Sequence, residues 1–461
     1  MKISTIGWMG VSLAAAGLVA CGPNSGGGDG GGPSSCTLPA TITSNMELTT
    51  ACPTWRVTAN GTTVAGSGNP TLTIDPGVKI GFDKGGGLSI GTGSGNGTAE
   101  PGAIVAVGTA AAPIVFTSNA AIPAAGDWSA VALGDSVLPT STIAFAKFEY
   151  GSGVGSGGKS STPDGFSYDE PAGALIVYGG TGSAALVLHD LEFSHNQGNG
   201  LVYDNYNGGF APPSGNLKVD DVGVGFEPFV VSANQASTIP LTISGPAGTA
   251  VDLILGDGAV NNKVGSIAIV GKSQTWPSLP LPYLVDGSVV GQGAGLAIEG
   301  DNLSTATLTI AAPNTLEFRS GGELELDPNG SGQGILVADG TGTTGITLTP
   351  FSPNPTPGAW AGISLAAPAT GGDALTRSKL VNVTVDWAGG VSYAGFTGAI
   401  LVDDSGNQNV PGPTITGCTI KDYPSGDCGI VLTQWIVPPA PGYGPPTNTF
   451  SGAATNDVCQ S

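Results

Sequence analysis

The chain has 461 residues, 40% of them apolar, which is enough to bury a substantial core and excludes a disordered polymer. Charged residues are only 10% and glycines number 78, far above the ~7% of average proteins, a mixture suited to short strands joined by tight turns. With 34 acidic against 13 basic residues and a net charge of −21, nucleic acid is excluded as a partner, because that footprint needs clustered Lys and Arg.

The first residues read as an export signal: the basic start "MK", the apolar run Ile3 to Ala20, then "LVAC" followed by Gly22. This start resembles the lipobox of bacterial lipoproteins, in which small residues directly precede a cysteine. The resemblance implies a signal peptide over residues 1–20 and a lipid on Cys21 as the first mature residue. Residues 21–35, with "GPNSGGGDGGGPSS", then form a flexible Gly/Ser-rich tether. An ordinary cleaved signal and an uncleaved anchor helix are the competing readings. No later apolar run is long enough to span a membrane.

Export makes disulfides chemically permissible. Cys36 and Cys52 bracket a short segment just before the first strand pattern, where a bond would staple an N-terminal cap. Beyond them come short runs such as "LTI", "VKIGF", "LSI", "IVAV", "PIVFTS" and "AVAL", which alternate apolar with small or polar positions and stop at Gly, Asn, Asp or Pro. No segment carries a capped 3.6-residue period. The expected fold class is all-β.

"TLTIDPGVKIGF" (Thr71 to Phe82) returns as "TLTIAAPNTLEF" (Thr307 to Phe318), and the match extends in unchanged order. "GDWSAVAL" from Gly126 answers "GAWAGISL" from Gly358, and "STIAFAKFEYGSG" from Ser141 answers "SKLVNVTVDWAGG" from Ser378. Next, "GALIVY" from Gly173 answers "GAILVD" from Gly398, and the segment beginning at Leu188 answers the one beginning at Thr416. The spacing drifts only where Gly, Ser and Pro cluster, as expected of an internal duplication with loop drift. The two halves are placed at 36–230, with an N-terminal cap, and 231–461, with a C-terminal cap. Each half holds more strands than a sandwich needs, and Asn-Gly hairpin signals are scarce, which favours a parallel β-helix over a sandwich, barrel or propeller.

Read together, "LTI-x-PG-x-x-I-x-F", "GG-x-L", the "P-I-x-F-TS" run, "G-D-W" and the "N-x-G" turns resemble the right-handed parallel β-helix proteins of bacterial surfaces, relatives in fold of the pectate-lyase group. The resemblance covers most of Trp55 to Cys459 and is stronger in the first half, since "DPG" becomes "AAP" and "FTS" becomes "LTP" in the second. Phe226 to Val290 would close one unit and begin the next, with Tyr283 in the place of Trp55. At the far end, Cys428 and Cys459 are spaced to bridge neighbouring turns. Cys418 lies on the apolar side of a strand as a buried inert thiol.

Polysaccharide-cleaving relatives need three clustered aspartates, a Gly-His-Gly turn and an Arg-x-Lys, or a calcium cluster with a basic residue beside it. None of those strings is present. Arg56, Arg319 and Arg377 stand beside no acidic cluster in the sequence. The adjacent aspartates Asp220–Asp221 and Asp403–Asp404 read as turn residues, whose side chains point to opposite faces in a strand. His189 with Asp190, and His195 nearby, are the best acid/base candidates. Neither histidine is kept in the second half, where Thr416 and Asp422 stand instead. With no CxxC and only two histidines, no metal or cofactor site is expected. Trp128 and Trp360 occupy equivalent places, as do Tyr150 and Trp387; either pair suits a glycan-stacking track or plain packing on the coil.

The expectation is therefore a lipid-anchored protein of the bacterial outer membrane or cell surface. It would act as a non-catalytic binding or structural solenoid toward a polysaccharide or surface protein, with the membrane reached through its lipid. A divergent polysaccharide lyase or hydrolase and a purely architectural envelope component are the alternatives.

Overall fold

The structure, a computed structural model, describes residues 36–92, 99–153, 159–161, 167–179, 185–205, 208–254, 268–285, 295–300, 304–326, 333–342, 345–366, 373–390, 397–403, 411–433, 442–451 and 456–460. The signal segment, Cys21 and the tether lie outside these residues. The short alternating runs become strands because each has one apolar row to hide: in Thr71–Ile74, Leu72 and Ile74 point inward and are buried while Thr71 and Thr73 are half-buried. One such strand cannot cover its apolar face alone, so stability comes from the coil above and the coil below.

The result is a right-handed parallel β-helix. Its backbone is a long sheet of fourteen strands, running from Thr41–Ile42 to Thr449–Ser451, with every neighbouring pair parallel. A ten-stranded flank sheet, beginning at Met46–Leu48 and ending at Ile243–Ser244, closes the N-terminal part. Two flank sheets close the C-terminal part. One has seven strands, Ala268–Val270 to Asn456–Gln460, and the other five, Gln274–Trp276 to Thr414–Thr416. A hairpin pairing Lys159–Ser161 with Ser167–Pro171 is antiparallel and stands outside the coil. Among the described residues helix is confined to Ala374–Arg377 and a 3-10 turn at Ala233–Thr238.

Inside the coil, like side chains stack on like. Phe116, Phe148 and Phe193 lie one above another with ring centroids 4.8 and 5.0 Å apart, close to the ~4.8 Å between strands. At the corners the chain turns on single residues held at positive φ. Phe145, Asp190 and Asn216 (φ 49, 54 and 54°) sit over one another at one corner, as the register of their strands requires. Tyr150 and His195 (φ 64 and 57°) mark the next corner of the same coils.

The duplication is legible in the hydrogen bonds. The Trp128 indole N–H donates to the Glu149 carbonyl at 2.8 Å, and that of Trp360 donates to the Asp386 carbonyl at 2.8 Å. Ser141 Oγ accepts from the Ile104 N–H, and Ser378 Oγ from that of Leu336, both at 3.2 Å. Trp387 (φ 57°) and Asp422 (φ 57°) turn the corners that Tyr150 and His195 turn in the first copy.

The copies are nevertheless set differently in the sheets. Thr71–Ile74 and Lys79–Phe82 both belong to the ten-stranded flank, whereas the counterpart of the first, Thr305–Ile310, lies in the five-stranded sheet and that of the second, Asn314–Phe318, in the long sheet. Leu88–Ile90 and Val131–Leu133 belong to the long sheet, while their counterparts Glu323–Leu326 and Gly362–Ala366 belong to the seven-stranded one. The second copy is thus turned by one face about the solenoid axis.

At the junction the long sheet runs on unbroken: Phe229–Ser232, which contains residue 230, pairs with Val251–Ile254. The flank stops at Ile243–Ser244, and side-chain amides bridge the gap before the next flank sheets begin. Asn234 Oδ1 accepts the Gly271 N–H at 3.0 Å, and Gln274 Nε2 donates to the Ala233 carbonyl at 3.0 Å. Where the described residues form no flank strand, these amides supply strand-like bonds. Each end carries a disulfide, Cys36–Cys52 and Cys428–Cys459. Cys418 is free and buried; burial pushes its thiol up to about 11, and Sγ lies 3.2 Å from the Leu380 carbonyl, which keeps it inert at neutral pH.

Candidate functional site

The sequence-derived candidates do not assemble into one site. His189 Nδ1 lies 2.7 Å from Asp190 Oδ2, and Asp190 Oδ1 accepts from Asn216 Nδ2 at 3.0 Å. Asp190 is therefore a corner residue whose carboxylate ties one left-handed residue to the next. His195 is at the following corner, its ring stacked on Tyr150 at 5.0 Å and its backbone N–H donated to Asp221 Oδ1. Between the corners runs extended chain, so at ~3.3 Å per residue Asp190 and His195 stand about 16 Å apart. Asp220 is occupied by Lys218 at 2.6 Å on the exposed side. No acid, base and substrate clamp converge here.

The tryptophans correct the stacking-track expectation. Both indoles are fully buried, Trp128 stacked on Phe82 at 4.3 Å and 12°, and Trp360 on Phe318 at 4.2 Å and 11°. A ring with no exposed face cannot receive a sugar. Packing alone explains why they recur.

A different place gathers polar groups. On the C-terminal half of the long sheet, alternation sends Leu316 and Phe318 into the core and Thr315 and Glu317 outward. The register stacks Thr315, Thr347, Thr384, Thr419 and Thr449 into one row, a hydroxyl and a methyl on every rung. Beside it runs a second row in which Glu317 lies between Leu284 and Thr349, followed further on by Asp386, Lys421 and Ser451. Lys421 Nζ meets Asp386 Oδ2 at 2.9 Å; burial, more than any neighbour, holds the Asp386 carboxyl above its usual range.

At the N-terminal end of these rows lies an open groove of about 360 Å³. Its floor is Thr315, Glu317 and Thr347, and its wall is the segment Ser278–Pro282 with Pro313 and Asn314. The wall is pinned: the Pro277 carbonyl accepts from Asn314 Nδ2 at 2.9 Å and from the Tyr283 hydroxyl at 3.0 Å, and the Ser278 hydroxyl donates to the Pro313 carbonyl. Proline fixes its own φ, so a wall built on "WPSLPLP" is stiff before any ligand arrives.

Glu317 is half-buried on that floor. Its carboxyl is pushed up to about 7, first by burial and second by the charge of Glu227. Glu227 is itself buried, its Oε2 accepting the Ala250 N–H at 2.8 Å and its Oε1 lying 3.8 Å from Arg319 Nη2. The Arg319 guanidinium rests over the Phe351 ring at 5.0 Å. At neutral pH Glu317 can therefore give or take a proton. Glu227 is too enclosed to act on a ligand as a second carboxylate, so the pair lacks the geometry of a glycosidase.

The sequence reading missed this groove, and it found no acid beside Arg319. Glu227 reaches Arg319 only because the coils bring together residues 92 positions apart. One signal was available: Glu317 stands where the first copy has Gly81, a polar intrusion into an otherwise matched strand. Among the described residues no group of three or more His, Cys, Asp or Glu side chains is placed to hold a metal ion, and no helix is long and apolar enough to cross a membrane. Comparison with protein-family models, with curated proteins and with solved structures finds no match.

Proposed function

We propose that this chain is an exported, lipid-anchored solenoid that recognises a linear polymer, a polysaccharide first of all, along the outer face of its long sheet. The observation that carries this reading is the threonine row, with hydroxyls at ~4.8 Å intervals over five rungs and a groove at its start. Repeated hydroxyl and methyl groups match a repeating, weakly charged chain. The net charge of −21 disfavours a polyanion.

Residues 1–20 would be the signal, Cys21 the lipid-carrying residue and 21–35 the tether, placing the protein on the bacterial outer membrane or cell surface within the pectate-lyase-like fold group. Two disulfides suit an oxidising compartment. A divergent polysaccharide lyase or hydrolase is the second reading, with Glu317 as its one proton-carrying group in the groove and no second carboxylate placed to assist it; a purely architectural envelope role is the third. Binding to insoluble polysaccharides, measured by co-sedimentation, tests the first. Thr384→Lys with Thr419→Lys is expected to weaken binding about tenfold with the fold intact. Equal binding by the variant, or no binding to any glycan by the parent, overturns the reading.

A further inference from the structure

The groove over Glu317 differs from the rest of the threonine row in charge. Glu317 is the carboxyl that lines it; outside the lining stand Glu227, whose charge reaches Glu317, and the Arg319 guanidinium, drawn to Glu227 and to the Phe351 ring. Asp252 lies two rungs before Glu317 in the same outward row, and Asp386, beyond Thr349, is answered by Lys421. No Lys or Arg is among the residues that line the groove, on a protein whose net charge is −21. The hydroxyls of Ser278, Thr315 and Thr347 ring the same opening.

We propose that this groove is a subsite for a primary ammonium group, so that the polymer bound along the threonine row is one with free amines, an amino-sugar glycan. The inference rests on the polymer-binding reading and narrows it. An ammonium carries three N–H donors and no acceptor, and the groove offers a carboxylate with hydroxyl oxygens around it. Leu279, Pro280 and Leu281 give the C–H face of a sugar ring an apolar wall to lie against. Without a cation above it, Glu317 keeps its proton to about pH 7; an ammonium seated there supplies the missing counter-charge and draws the carboxyl into its ionised form. An acetylated amine lacks the charge and brings extra bulk into a groove whose wall is fixed.

The test compares binding of glucosamine pentamer and N-acetylglucosamine pentamer to the full chain by calorimetry at pH 6.5, for the parent protein and for Glu317→Gln. The parent is expected to prefer the free-amine oligomer about tenfold. In the variant the free-amine oligomer should lose that advantage, so that the two oligomers bind alike. Equal affinity of the parent for the two oligomers overturns the ammonium subsite and leaves polymer recognition standing, a result that needs no variant to fold. A preference that survives Glu317→Gln likewise removes Glu317 from the account. Binding of neither oligomer overturns the ammonium subsite as well, and the co-sedimentation of other polysaccharides then decides the broader reading separately. Calcium ion alone binding at the groove, without any oligomer preference, would assign it to a metal and overturn the inference.

Discussion

Replacing Glu317 by Gln removes one titration and nearly nothing else, which makes it a direct measure of the groove's electrostatics. The parent carboxyl stands at about 7 against an ordinary 4.5. At ~1.36 kcal/mol per pH unit, a fully desolvated group displaced that far would be linked to roughly 3 kcal/mol. Glu317 is only half-buried, and solvent screening reduces the expected effect to about 1–2 kcal/mol. The sign follows from the direction of the displacement. The folded protein holds this proton more tightly than the unfolded chain, so the contribution is fully present below about 4.5 and is lost as pH rises through about 7. Denaturant unfolding at pH 4, 5, 7 and 8.5 should show Glu317→Gln matching the parent at pH 4 and exceeding it by about 1–2 kcal/mol at pH 8.5. Taking the difference between the two proteins cancels the titrating groups that do not interact with Glu317; Glu227, which does, is part of what is measured. A difference that stays constant from pH 4 to 8.5 would refute the account of the groove.

Trp128→Phe and Trp360→Phe are each expected to cost about 2–4 kcal/mol, since each leaves a small void and a carbonyl, of Glu149 or Asp386, without its donor. Urea titration reads this, and polysaccharide binding by the folded variants should be unchanged; intact stability with lost binding would restore the stacking-track view. Replacing the cysteines of the 16-residue Cys36–Cys52 loop by Ser should cost about 3 kcal/mol, and of the 31-residue Cys428–Cys459 loop nearer 4 kcal/mol. Unfolding with and without reductant checks both, and parent curves that ignore reductant would show that the bonds are not what holds the caps.

The coil itself was legible because its requirements are local: an apolar residue every second position, a turn residue after four or five, and a second copy in which Leu72, Ile74 and Phe82 reappear as Leu308, Ile310 and Phe318. Disulfide partners were legible for a related reason, since the cysteines sit at the ends of the pattern where edges need closing. The setting of each strand in its sheet was not. A strand's neighbours are one coil away, some 22 to 45 residues along the chain, and nothing in Asn314–Phe318 tells which sheet will receive it. The corners were opaque as well. Glycine or asparagine is expected at positive φ, yet Phe145, Tyr150 and Trp387 hold such angles, at ~1–2 kcal/mol each; the rings of Phe145 and Tyr150 rest against His189 and His195 of the next coil. Tryptophan burial was undecidable from repetition alone, as a packed ring and a binding ring recur equally well. Glu317 escaped notice because a lone glutamate in a strand looks solvated until Glu227 and the proline wall are brought to it.

The one-face turn between the copies has its own consequence for how such a protein diversifies. Surfaces that descend from the same ancestral strand now look in different directions, so nothing approaching along the long sheet meets the same face twice. Repetition here cannot build avidity from two identical sites. It frees one descendant face to change, as Gly81 and Glu317 have, while its twin keeps the flank closed. A third copy added with the same step would bring the remaining ancestral face into the long sheet, and only a fourth would return the first.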